Sequence, residues 1–166
     1  LAKENKKFIY GAIRKGSRAK DFELAIQWLL DAGIIYKVNR IKEPKMPLKF
    51  YEDFDAFKLF VLDVGLLGAM SEIEPDQMLL TNNAIKEYKG AMTENYVLCQ
   101  LKSIDGTHIY YYSRDDSKLE IDFIAQYMGK IIPIEVKAAE NLRSKSLSTF
   151  MASHSELHAI RFSMAK

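Results

Sequence analysis

The chain has one cysteine, Cys99, in 166 residues, with only three histidines and four prolines. A lone cysteine excludes an intrachain disulfide and a zinc site built from thiolates, and it fits a reducing, cytoplasmic setting. Long hydrophobic runs are missing as well. The longest apolar stretch, Phe57 to Met70, is broken by Asp63 and is too short to cross a bilayer, so neither a membrane segment nor a signal peptide is expected. Excess charge of one sign is also absent. Lysine and arginine number 24 against 22 acids, and a net charge of +2 falls far short of the basic balance that would by itself announce nucleic-acid binding. No internal repeat or low-complexity tract occurs. What is present is globular: 48% hydrophobic and 28% charged residues, enough for one ordinary domain or two small ones. The first residues, from Leu1, read as the middle of a helix, so the chain is expected to be a fragment of a longer protein.

In "KDFELAIQWLLDAG" the residues Phe22, Ala25, Ile26, Leu29 and Leu30 recur at helical spacing, and Gly33 stands where a C-terminal cap belongs. "AKENKKFIYGAIRKG" predicts an earlier helix ending near Gly16, and "IIYKVNRI", "LKFYED" and "FKLFVL" predict short strands around the loop "KEPKMP". Two helices followed by short strands suggest a winged-helix remnant over residues 1–62. Residues 63–88, with Gly65, Gly68 and Pro75, form a connecting segment. Over residues 89–166 the pattern is helix ("YKGAMTENYVLCQLKSI", from Tyr88), strand ("HIYYYS"), strand ("KLEIDFIAQYM"), strand ("KIIPIEVKA"), helix ("SKSLSTFMASHS") and strand ("LHAIRFSM"). The expected fold class is therefore α/β, with the unit helix, three strands, helix, strand.

The second and third of these strands carry acids. Alternation places Glu120, Asp122 and Ile124 on one face and Ile121, Phe123 and Ala125 on the other. On the next strand Ile132, Ile134 and Val136 share a face, opposite Ile131, Pro133, Glu135 and Lys137. A turn at Met128, Gly129 and Lys130 would lay the charged faces side by side. Glu94, three residues before Val97 and seven before Leu101, lies on the apolar stripe of the preceding helix. Several carboxylates brought together oppose folding unless a cation compensates, and a hard divalent ion such as Mg²⁺ or Mn²⁺ favours such oxygen ligands. Lys137 could then position a nucleophilic water or stabilise charge developing on a phosphate.

Glu94 on a helix, Asp122 on a strand and Glu135-Val136-Lys137 on the next resemble the PD-(D/E)XK nuclease superfamily, although Ile121 stands where the proline of that name would be. Over nearly the whole chain, "RAKDFELAIQWLLDAGIIYKV", "FKLFVLDVGLL", "TENYV", "EIDFIA" and "IPIEVKAAENLRSKSL" look like the C-terminal region of a family of prokaryotic AAA+-type ATPases, in which a winged helix precedes a domain of unknown function. The resemblance implies a nuclease-like fold, an upstream P-loop ATPase module in the same protein, and DNA as partner. It implies a site of Glu94, Asp122, Glu135 and Lys137, with Asp122, Glu135 and Glu94 on the metal and Glu120 as an auxiliary ligand. Homodimers are frequent in the superfamily, but no interface is legible here. No G-x-x-x-x-G-K-[ST] motif occurs in this chain.

Each feature has a plainer reading. "E-x-D" or "E-x-K" alone is the pattern of a solvated strand face; it is their combination with Glu94 that points to a site. His154 and His158 are expected at the surface, and Cys99 as a buried helix residue. Arg14, Lys15, Arg18 and Lys20 would touch phosphates in a winged helix or else form a solvated loop. Asn141, Ser144 and Lys145 lead into a helix whose N-terminus could bind a substrate phosphate, or Ser144 could be its N-cap. Tyr110, Tyr111 and Tyr112 fit core packing better than base stacking. The expected activity is metal-dependent phosphodiester hydrolysis of DNA. The rivals are a non-catalytic DNA-binding or regulatory module and a protein-interaction domain of the ATPase.

Overall fold

The computed structural model describes residues 7–9, 18–72, 83–116, 119–138 and 145–163. Among these, four α-helices accompany one open, mixed sheet of six strands. The elements are α1 (Glu23–Asp31), β1 (Ile35–Ile41), β2 (Glu52–Val61), α2 (Val64–Ser71), α3 (Asn83–Lys102), β3 (His108–Ser113), β4 (Glu120–Tyr127), β5 (Lys130–Lys137), α4 (Lys145–Ser153) and β6 (Ile160–Ser163). In space the strands run β2-β1-β3-β4-β5-β6. The β1/β3 and β5/β6 pairs are parallel and the other three antiparallel. Strands from residues 35–61 and from residues 108–163 are thus hydrogen-bonded into the same sheet.

Gly33 closes α1 as its position predicts. With φ of +68°, it allows the Gly33 N–H to donate to Leu30 and the Ile34 N–H to Leu29, the paired bonds of a Schellman motif. No residue of α1 is buried, and Trp28 is 70% exposed. The earlier predicted helix lies mostly outside the described residues. Over Lys7–Ile9 the chain is not helical; there the Phe8 N–H donates to the Phe57 carbonyl, and their rings stack at 5.4 Å. "LKFYED" is not a separate strand either. Leu48–Tyr51 form a short 3-10 turn in which the Phe50 N–H donates to the Pro47 carbonyl, and Leu48 is buried by it. The strand begins at Glu52 and extends through "FKLFV", with Phe54, Asp55 and Ala56 left out of the paired register with β1.

The sheet is covered on both faces. On one, Val97, Leu98 and Leu101 of α3 pack with Val38, Phe60, Ile109, Tyr111, Phe123, Ala125, Ile134 and Val136. On the other, Phe150 of α4 packs with Ile41, Leu48, Tyr110, Tyr112, Ile121, Ile124 and Ile131. The predicted turn between β4 and β5 is a two-residue turn, with Met128 at φ +45° and Gly129 at φ +71°, and Lys130 already pairs with Tyr127. Positive φ at both central positions suits the right-handed twist of the flanking strands. Asn95 of α3 is buried. Its Oδ1 accepts from the Val61 N–H and its Nδ2 donates to the Val61 carbonyl, both at 3.0 Å, which ties the helix to the end of β2. Among the described residues no helix is long and apolar enough to cross a membrane.

Phe150 is fully buried and meets the Tyr112 ring edge-on at 5.1 Å. Phe150→Ala should therefore destabilise the fold by about 3–5 kcal/mol, measured as the shift in urea unfolding midpoint at unchanged slope.

Candidate functional site

The simple alternation expected for β4 fails at its centre. Tyr110 of β3 faces Ile124 while Tyr112 faces Ile121, so β4 holds one more residue than β3 over this interval. This bulge places Ile121 and Ile124 in the same core cluster and Phe123 in the opposite one. Ile124 therefore does not share a face with Asp122 in the way an unbroken strand requires. Bulges re-aim side chains and locally end regular pairing. Here the paired register of β4 and β5 stops at Phe123 and Ile134, one step short of Asp122 and Glu135. In place of a backbone partner, the Val136 N–H donates to Asp122 Oδ2 at 2.7 Å.

Asp122 and Glu135 meet at this end of the hairpin, and Glu135 is only 3% exposed. Burial, and next the charge of Glu135, push the Asp122 carboxyl up to about 6, against the opposing influence of the Val136 N–H, Lys58 and Lys137. Lys137 Nζ lies 2.6 Å from Glu135 Oε1. Burial works against the Lys137 ammonium, but its bond to Glu135 and the charges of Glu135, Asp122 and Glu94 outweigh it and raise its pKa. The fold thus brings Glu94, Asp122, Glu135 and Lys137 within electrostatic reach of one another. Glu94 enters on α3 next to Asn95, whose bonds to Val61 set the helix against the sheet.

The fourth acid, Glu120, is held by Lys58 of β2, with Nζ 2.5 Å from Oε1. Lys58 was not among the residues singled out from sequence. Its signal was there: it is the one charged residue in "AFKLFVL", on the strand face of Phe60. Among the described residues, no three acids, histidines or cysteines are disposed to hold a metal ion. Of the expected phosphate-binding residues, Asn141 and Ser144 lie outside the described residues, and Lys145 opens α4 as an exposed residue. His154 is half-buried, stacked on Phe150 with Nδ1 2.9 Å from its carbonyl oxygen, and His158 is exposed. The half-buried Cys99 thiol donates to the Leu62 carbonyl at 3.1 Å, and burial pushes its pKa up.

Comparison with known proteins divides the chain at a similar place. Residues 89–165 match the profile of a family described as a domain of unknown function (DUF4143), and residues 1–77 match another such family (DUF8612). Each match spans a little under half the chain. Both parts are similar to domains of unknown function. No curated protein and no solved structure matches the chain. The acid site lies within residues 89–165, whereas Lys58 lies within residues 1–77.

Because the folded-state value of Asp122 lies above its ordinary 3.8, its carboxyl supports folding most fully below that pH. The contribution is lost as pH rises through about 6. Asp122→Asn keeps an oxygen for the Val136 N–H and removes the titration. It should be more stable than wild type above about pH 7, by roughly 1–3 kcal/mol, and the gap should close toward about pH 4. Urea unfolding of both proteins across that range checks the sign and the window.

Proposed function

We propose that the Asp122–Glu135–Lys137 site serves metal-dependent hydrolysis of phosphodiester bonds in DNA, in a fold of the PD-(D/E)XK kind. The observation that carries this reading is the pair of carboxylates at the opened end of β4 and β5, Glu135 buried and Asp122 half-buried, with Asp122 at about 6 and a lysine 2.6 Å from the second acid. Two like charges gathered out of water gain from a divalent cation between them, and their hard oxygens suit Mg²⁺ or Mn²⁺. Asp122 and Glu135 would hold the ion, with Glu94 behind them. A bound ion there supplies a water of lowered pKa and neutralises phosphate charge. The Val136 N–H orients the Asp122 carboxylate, and Lys137 pairs with Glu135 and presents a cation to an incoming phosphate. In the whole protein the partner module is a P-loop ATPase upstream, the arrangement implied by the sequence resemblance.

One observation favours a second reading. Glu120 and Glu135 each already have a lysine partner, so part of the acid charge is compensated within the chain. That suits a module that docks DNA or the ATPase without cutting.

Calorimetric titration with Mn²⁺ at about pH 8 should show saturable binding that Asp122→Ala and Glu135→Ala each lose. Cleavage of DNA in Mg²⁺ should fall by on the order of 100-fold or more in Asp122→Ala. DNA binding indifferent to Mg²⁺ and to Glu135→Ala, without cleavage, would establish the docking module instead.

A further inference from the structure

Helix α1 carries two apolar stripes. Phe22, Ile26 and Leu30, spaced four apart, are half-buried where the helix packs on β1, but Leu24 and Trp28, also four apart, stay 69% and 70% exposed. A helix side that simply faces water carries polar residues instead. Beside α1, β2 leaves its register with β1 at Phe54, Asp55 and Ala56, and Phe54 is 71% exposed at this bulge. Leu24, Phe54 and Phe57 line a groove of about 530 Å³ between the helix and the strand. The groove is also charged, with Lys20 and Lys37 lining it against one acid, Glu23. Lys37 is half-buried with its ammonium 4.4 Å from the centre of the Phe57 ring, and among the described residues no carboxylate pairs with it.

We propose that this groove docks an amphipathic helical segment of a partner protein, which sets apolar residues against Leu24, Trp28 and Phe54 and a carboxylate against Lys37. Charge selects the sign of the occupant. A carboxylate entering the groove meets an ammonium that has already lost part of its water and has no competing acid bound to it. Shape selects its form. The apolar stripe runs on from Leu24 in the groove to Trp28 one turn further along α1, so the surface is elongated along the helix. Such a surface suits recognition of a helix lying in a groove, whereas a small molecule is held in a concave site that encloses most of it. All of these residues belong to the segment 1–77, and the inference does not depend on the acid site of β4 and β5.

The test selects binders of the intact chain from phage-displayed random peptides of about 16 residues, roughly four helical turns. Enriched peptides should carry apolar residues at helical spacing with acids among them. Binding of a synthetic copy should move the emission of Trp28, the chain's single tryptophan, to shorter wavelength as the ring is covered. Lys37→Met should weaken that peptide by about five- to tenfold, and Phe54→Ser should abolish the shift, both in variants that thermal melting shows to be folded. Replacing the peptide's acids with glutamine should cost wild type a similar factor and cost Lys37→Met nothing further. No enrichment, enriched peptides without acids, or binding unchanged in Lys37→Met and Phe54→Ser would overturn the proposal. So would sedimentation showing a wild-type dimer that Trp28→Ser dissociates, because the occupant would then be a second copy of this chain.

Discussion

Withdrawing two carboxylates, Glu135 fully and Asp122 in part, from water at one end of a hairpin is the constraint around which the rest of this structure is arranged. An ionised acid withdrawn from water needs a hydrogen-bond donor or a cation, and a pair of acids needs more than one of them. Asp122 takes a backbone donor, the Val136 N–H, which is available because the paired register of β4 and β5 has ended. Glu135 takes the ammonium two residues further along its own strand. The bulge in β4 makes the first of these possible, and the short turn at Met128–Gly129 sets the register from which both follow.

The second cation comes from much further away in sequence. Lys58 can reach Glu120 only if β2 and β4 belong to the same sheet, and the parallel pairing of β1 with β3 through Arg40–Tyr111 and Ile41–Tyr112 joins them. That junction is reinforced by side chains. The buried Arg40 guanidinium donates to Asp53 on β2 and also to Asp115, just beyond β3. On the α3 side, Asn95, next to Glu94 in the helix, fastens α3 to Val61 at the end of β2. The two segments similar to separate families are therefore coupled through backbone pairing, a buried amide and the ion pairs Arg40–Asp115 and Lys58–Glu120, whose cations are buried.

Much of the framework was legible from periodicity and turn chemistry. Gly33 marked the end of α1, and the helix, three strands, helix, strand order over the second half appears as α3, β3, β4, β5, α4 and β6. The alternation of β5 correctly grouped Ile132, Ile134 and Val136. Two features escaped. "LKFYED" has the composition of a strand, but Pro47 and the burial of Leu48 turn it into a 3-10 segment before β2 begins. The β4 bulge was invisible because its cause is a mismatch with β3, and a strand's own sequence does not report the register of its neighbour.

Sequence by itself determined which strands carry charge among apolar residues, and hence that Asp122, Glu135 and Lys137 needed an explanation. These are local facts, since two-residue alternation and helical spacing depend only on near neighbours along the chain. Tertiary structure alone decided which acid faces which cation. Lys58 reads as an ordinary member of an apolar strand until the sheet order brings it to Glu120, 62 positions later in the chain. The reason is physical: electrostatic compensation acts through space over a few ångströms, and closeness in space is set by strand order and register, neither of which any single segment encodes.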